Sequence, residues 1–309
     1  MSESLERLEN QTAIFVPTRN GGASIKRYLR SLRRSIFQPK VRLAIDTESE
    51  DDTTAQLKNA GFDVHKIKKS IFTHGLVRHQ AVDLLDPTIR YLVMTTQDIE
   101  FDPDAIGKLV SFVDRHSDMG VAYGRQMIRR NIQKNYLEYV DKLRQYPDTD
   151  SIKSLNSIPE LGIKTVFSSD VFCVYRVSDL KAIGNFNRHL TFSEDMYAAA
   201  TMIMENYTVG YVAEAKVEHC NELKIGTIIE RYREIGTFHR QYPWIQEKFG
   251  KNEKAGIHQV LQELGSDLRR LHLARAVEIT IKSICKYIAY KLPLSKEVVE
   301  ASFHENSRE

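Results

Sequence analysis

Asp98 stands at the end of Tyr91-Leu-Val-Met-Thr-Thr-Gln-Asp98, a run of β-compatible residues that turns polar at its last positions. A strand that delivers a carboxylate to its carboxyl end offers a hard oxygen ligand for a divalent metal. Glu100, Asp102 and Asp104 crowd the following turn, and Pro103 stops the strand from continuing. An acid that merely completes a turn would give the same local pattern. Three other polar clusters fall at expected strand ends or loops: Thr18-Arg19-Asn20, Asp46, and the pair Glu194-Asp195. In an open α/β sheet ligands gather at the carboxyl ends of the strands, so the four clusters would face one crevice.

The elements that must position them alternate. Residues 12–17 read as a strand, and 25–35 as a basic amphipathic helix with Ile25, Leu29 and Leu32 on one face. A second strand over 41–45 runs into Asp46, and a helix over 54–60 follows, capped near Ser49 to Thr53 and closed by Gly61. Strands are expected over 62–67, 91–94 and 120–123, with helices over 79–85 and 105–116 between them. This βαβα order predicts an α/β fold with a mostly parallel, doubly wound sheet. No GxGxxG follows the first strand, which argues against the dinucleotide-dehydrogenase version. Beyond Arg125 the pattern changes to a polar helix over 129–145 and a mobile loop over 146–159. A strand over 165–175 comes next, then helices over 178–183 and 195–206, and short strands over 209–212 and 216–219. From Ile225 the chain reads as helical.

Bulk properties narrow the class. The chain has 309 residues, 42% hydrophobic and 28% charged, as an ordinary globular protein would. A net charge of +3 is too small to argue for nucleic acid. Cys173, Cys220 and Cys285 are far apart and lack CxxC spacing, which favours a reducing compartment over a disulfide framework or zinc site. The polar, acidic N-terminus is no signal peptide, and no window approaches the ~18 apolar residues needed to cross a bilayer. A cytoplasmic protein is expected, with contact at the inner face of the membrane left open.

Placed together, the four clusters resemble the inverting GT-A glycosyltransferases of family 2, whose pattern includes a polar first turn, an Asp after strand two, a DxD-like metal motif and an ED pair. The likeness narrows to the bacterial rhamnosyltransferase-like subgroup through Phe72-Thr-His-Gly-Leu-Val-Arg78, Thr96-Gln97-Asp98, Tyr123-Gly-Arg-Gln126 and Leu161-Gly-Ile-Lys-Thr165. It continues through Tyr175-Arg176, Gly184-Asn-Phe186, Phe192-Ser-Glu-Asp195, Val217-Glu-His219, Arg231-Tyr-Arg-Glu-Ile-Gly236 and Phe238-His239. The order and spacing of these segments cover roughly residues 12–245, which the resemblance makes a catalytic domain, with 246–309 a helical C-terminal extension.

The resemblance implies a role for each position. Asp46 would accept a hydrogen bond from a pyrimidine imide N–H, Thr18, Arg19 and Asn20 would border the same base and ribose, and Gln97 would also bind the donor. Asp98 and His219 would hold Mn²⁺ or Mg²⁺ against the diphosphate of a dTDP- or UDP-sugar donor, imidazole favouring Mn²⁺. Thr96 stands where the common motif has its first acid, leaving one acidic ligand. Arg78 and Arg125 would clamp phosphates, and Arg231 and His239 would steady the departing diphosphate. Asp195 would be the base that takes the acceptor hydroxyl proton, with Glu194 orienting acceptor or loop. A helix N-terminus at Asp195 would also keep it ionised. Each position has a plain alternative: a turn acid for Asp46, solvated helix faces for the arginines, a structural role for His219. Asp170 reads equally as a contact to a sugar or as a strand-edge acid.

The resemblance implies transfer of L-rhamnose from dTDP-L-rhamnose to a growing polysaccharide or lipid-linked glycan. The alternatives are a UDP-hexose donor (galactose, glucose or GlcNAc) and a catalytically silent scaffold. The helix expected over 274–292, apolar at Val277, Ile281, Ile284 and Ile288 and flanked by Lys282, Lys286 and Lys291, would pack on its own domain or a second subunit, or lie on an anionic membrane.

Overall fold

The computed structural model describes residues 3–128, 145–219, 225–251 and 273–292. The chain divides into two compact units, Met1–Leu155 with Phe167–Asn221, and Asn156–Val166 with Glu222–Glu309.

The first unit is built on one nine-stranded sheet ordered β3-β2-β1-β4-β8-β6-β9-β5, with β7 beside β9. Its strands are β1 Thr12–Thr18, β2 Val41–Thr47, β3 Asp63–Ile67, β4 Tyr91–Thr95, β5 Ile99–Phe101, β6 Met119–Ile128, β7 Ser151–Lys153, β8 Phe172–Arg176 and β9 Thr208–His219. β3, β2, β1 and β4 run parallel, which brings the ends of β1, β2 and β4 to one edge. β8 then pairs antiparallel to β4, with Phe172 opposite Thr95, so the start of β8 arrives at that same edge. Helices α1 Glu3–Asn10, α2 Gly22–Arg34, α3 Thr53–Asn59, α4 His74–Asp83 and α5 Ala105–Arg115 accompany the parallel strands.

The core follows from the apolar strands. Ile14, Val16, Val93 and Val174 are buried in one cluster with Tyr28 and Leu32 of α2 and Leu109 and Val113 of α5. Rings of Tyr28, Phe101 and Phe172 meet edge to face within it. β1 and β4 are buried on both faces, as parallel strands covered by helices must be.

Several boundaries depart from expectation. α4 starts five residues before the expected 79, because Thr73 Oγ1 caps the Leu76 amide. The strand expected over 165–175 begins only at Phe172, preceded by a 3₁₀ turn over Gly162–Val166 and a polar loop. The expected mobile loop is tied down over its first part: β7 pairs with β9, Tyr146 is buried, and Asp150 accepts from the Ala213 amide. The two short strands over 209–219 are one strand, β9, whose register with β6 shifts at Gly124/Arg125. The helix expected over 129–145 lies outside the described residues, save for residue 145, as does 252–272 of the region expected to be helical from Ile225.

After β7 come α6 Ile158–Leu161 of the second unit, then α7 Val177–Ala182 and α8 Glu194–Met204 of the first. The second unit also contains, among the described residues, α9 Ile225–Gln241, α10 Pro243–Phe249 and α11 Leu273–Lys291. α9 and α11 approach closely at Gly236, where an added Cβ would lie 2.1 Å from the Tyr290 carbonyl oxygen. Arg233 and Arg240 donate to the carbonyls of Leu292 and Lys291, satisfying acceptors that a helix end leaves open. Ala289 is buried, whereas Ile281, Ile284, Ile288 and Leu292 are exposed.

Candidate active site

Three loops are stitched together at the carboxyl edge of the parallel strands. Thr18 closes β1 opposite Asp46 in the register with β2, and its hydroxyl donates to Asp46 Oδ2 over 2.9 Å. Asp46 is fully buried and also accepts from the Ser49 amide at 2.9 Å and the Ser49 hydroxyl at 2.5 Å. Asn20, held at φ +44°, donates its amide to Ser49 Oγ and accepts the Glu50 amide. The open amides of Gly21 and Gly22 at the start of α2 are taken by Thr53 and Asp51. Gln97 completes the frame, accepting from the Arg19 amide and donating back to its carbonyl, each at 3.1 Å. Thr18, Arg19, Asn20, Asp46 and Gln97 are thus brought together. Ser49, Asp51 and Thr53 were missed as partners, because their spacing after β2 signalled only a helix cap.

Asp98 and His219 also converge. β5 pairs antiparallel with β9, placing Ile99 opposite His219, and His219 Nε2 lies 3.2 Å from Asp98 Oδ2. His219 Nδ1 faces Gln126 Oε1 at 3.1 Å. Burial alone would raise the Asp98 pKa, but the hydrogen bond and charge of His219 outweigh it and hold the carboxyl below its usual range. The contact of Nε2 with the carboxylate needs a proton or a cation between them, and with its proton on Nδ1 a neutral His219 would offer the Nε2 lone pair to that cation. That donor set fits a divalent ion that keeps waters and substrate phosphates as its other ligands. Among the described residues no group of three or more His, Cys, Asp or Glu side chains gathers as a metal cage.

A second cluster forms around Arg78. Its Nε lies 2.7 Å from Asp170 and its Nη1 3.0 Å from Glu194, all three side chains being buried. Tyr175 donates to Asp170 at 2.8 Å and Cys173 at 3.1 Å. The phosphate clamp expected of Arg78 therefore gives way to another role, since two carboxylates occupy its fork beneath the surface. Burial alone would lower its pKa, but Glu194 and Asp170 drive it above the usual guanidinium value. Asp170 is neither a strand-edge acid nor exposed to a ligand; burial raises its pKa, against the pull of Arg78.

Asp195 sits in the first turn of α8, after Ser193, whose φ of +62° is a left-handed conformation that a serine adopts only at a cost. It accepts from the Met196 amide at 2.7 Å. The helix end does not keep it acidic, contrary to expectation. Burial, then the charges of Glu194 and Asp170, push its pKa up to about 8, against that hydrogen bond and Arg78. A carboxyl so poised is matched to general-base work near neutral pH.

Arg125, Arg231 and His239 are the remaining expected residues. Arg125 follows the β6 irregularity, where its charge acts on Tyr211 and Glu214. Arg231 is exposed on α9, and His239 is buried there with Nδ1 3.0 Å from the Tyr290 hydroxyl. Both belong to the second unit.

A parallel-strand block with a polar frame at its carboxyl edge, an Asp–His pair beside it and an acid on a helix start is the arrangement expected of a GT-A glycosyltransferase. The sequence model of glycosyl transferase family 2 matches residues 13–184, and the chain belongs to that family. Within it the chain is rhamnosyltransferase-like. It is 32% identical over 283 residues to the O-antigen chain rhamnosyltransferase WbaN of Salmonella anatum, covering 90% of this chain and 88% of the relative. It is also 32% identical over 286 residues to the O-antigen chain rhamnosyltransferase RfbN of Salmonella typhimurium, with the same coverage of 90% and 88%. The fold is shared with the mannosyltransferase PcManGT from Pyrobaculum calidifontis, solved with GDP-Man and Mn²⁺, at a TM-score of 0.63 and 12% identity over 96% of this chain and 87% of that one. It is shared also with residues 1–349 of TarS from S. aureus bound to UDP-GlcNAc, at a TM-score of 0.54 and 13% identity over 96% and 88%.

Proposed function

We propose that this protein transfers L-rhamnose from dTDP-L-rhamnose to a growing O-antigen-type or lipid-linked glycan, with inversion, by a single displacement. The sugar assignment leans on the relatives named as O-antigen chain rhamnosyltransferases. The observation that carries the mechanism is the carboxyl of Asp195, poised on a helix start and pushed up to about 8. The frame of Thr18, Arg19, Asn20, Asp46 and Gln97 borders the base and ribose. Asp46 would accept the pyrimidine imide N–H, which a purine base such as guanine presents differently.

Asp98 and His219 would hold the divalent ion. Bound there, Mn²⁺ or Mg²⁺ would supply neutralisation of the diphosphate's charge. Asp195 removes the acceptor hydroxyl proton as that oxygen bonds to the anomeric carbon and the bond to the diphosphate oxygen breaks. One carboxylate suffices, since no covalent intermediate has to be formed and released. Arg78 pins Glu194, and through it the first turn of α8, so that Asp195 is held in place. Arg125 is the cation we assign to the diphosphate, and catalysis falls within residues 1–245. No helix among the described residues is long and apolar enough to cross a membrane. We place the protein in the cytoplasm at the inner face of the membrane, where lipid-linked acceptors lie, with the exposed stripe of α11 as the contact.

Turnover of dTDP-L-rhamnose, UDP-galactose, UDP-glucose and UDP-GlcNAc, with Mn²⁺ and with EDTA, tests the reading. Rhamnose transfer lost in Asp195→Asn and on chelation is the expected result. Turnover of a UDP-hexose alone would replace the donor, and full activity of Asp195→Asn would falsify the assigned base. A chain that hydrolyses or transfers none of them is a scaffold.

A further inference from the structure

We infer that Gln126 is a positioning residue that fixes the tautomer of His219, so that the ring nitrogen facing Asp98 offers a lone pair to a divalent cation. The inference rests on the metal reading above and goes beyond it, because Gln126 touches neither the cation nor the donor. Its side chain is buried, at 3% exposure, on β6. Its Nε2 donates to the Tyr146 hydroxyl at 2.5 Å and to the Ser169 hydroxyl at 2.8 Å. Both amide hydrogens are thereby used, and the oxygen is left facing His219 Nδ1 at 3.1 Å. An amide oxygen can only accept, so Nδ1 keeps its proton, and a divalent cation that takes the place of a proton between Nε2 and Asp98, 3.2 Å apart, meets the Nε2 lone pair.

The opposite amide orientation would seat the proton on Nε2, where it bonds to Asp98 and closes the site to a cation. In the structure Tyr146 and Ser169 take the NH₂ group and hold it away from the ring. Tyr146 is itself buried among the rings of Tyr123, Phe167 and Tyr211, which restricts its hydroxyl. Metal-bound histidines commonly carry such a partner on the second nitrogen, and its loss weakens metal affinity by about 10- to 100-fold.

The test is Mn²⁺ binding by calorimetry to the full chain and to Gln126→Met and Gln126→Glu. ¹⁵N shifts of the His219 ring, identified by their loss in His219→Gln, are read with diamagnetic Mg²⁺. Methionine keeps the volume but accepts no hydrogen bond worth the name, and glutamate accepts only. Gln126→Met should bind Mn²⁺ about 10-fold or more weakly and show a mixed-tautomer ring, while Gln126→Glu should bind at least as tightly as the native chain with Nδ1 protonated. Native affinity and unchanged ring shifts in Gln126→Met, or weakened binding in a folded Gln126→Glu, overturn the inference alone. No Mn²⁺ binding by the native chain overturns the metal reading and this inference together.

Discussion

The carboxyl of Asp195 makes a quantitative demand on the pH profile. Its pKa is pushed up to about 8 by burial and then by Glu194 and Asp170. A base titrating there is only about one part in ten ionised at pH 7 and about half ionised at pH 8. If it removes the acceptor proton, kcat/KM should rise about tenfold from pH 6 to 7 and about fivefold from pH 7 to 8, then level off. Asp170→Asn deletes one of the negative charges that raise it, so the inflection should move toward acid by about 1 pH unit, or ~1.4 kcal/mol in the free energy of ionisation. The assay is initial-rate transfer from dTDP-L-rhamnose across pH 5.5 to 9.5 at saturating Mn²⁺, for the native chain and for Asp170→Asn, in buffers of matched ionic strength. A profile flat from pH 6 to 8.5, or an inflection unmoved by Asp170→Asn, refutes the coupling of these carboxyls to the base.

Arg78→Met strands Asp170 and Glu194 as buried charges without a partner and should cost about 3–5 kcal/mol of stability, read by urea unfolding. Gly75→Ala sets a Cβ 1.9 Å from the Asn187 carbonyl oxygen, so α4 must shift; a loss of about 1–3 kcal/mol is expected in the same measurement. The raised pKa of Asp195 also has a sign in stability. The unfolded chain ionises this acid above about 4 while the folded one keeps its proton up to about 8, so its contribution is full in acid and disappears as pH rises between those values. The melting temperature of the native chain should therefore fall between pH 6 and 9 more steeply than that of Asp195→Asn.

Local pattern alone was enough for the parallel block. Continuous apolar runs at 12–17, 41–45 and 91–94, each followed by turn chemistry and an amphipathic helix, have few other ways to bury their surface, and β1, β2 and β4 formed there. The polar residues at those strand ends were legible for the same reason, since parallel strands must deliver them to one edge. Thr18, Arg19, Asn20, Asp46 and Gln97 accordingly meet. The pairing of Asp98 with His219 was legible only through the family resemblance, for the two are joined by antiparallel pairing across 121 positions.

Sequence therefore determined the family, the parallel half of the sheet and most of the residues at its edge. Tertiary structure decided what those residues are engaged with. Arg78 reads as a surface cation in a helix, yet the arrival of β8 and α8 surrounds it with Asp170 and Glu194 and buries it. Asp195 reads as an acid eased by a helix end, yet two neighbouring carboxyls and burial raise it instead. Gln126 carries no chemical signal in its own stretch of chain; its effect on His219 exists only because β6 and β9 lie side by side. Charge and hydrogen-bond energies depend on neighbours distant in sequence and on the water excluded between them, and neither quantity is set until the chain has folded.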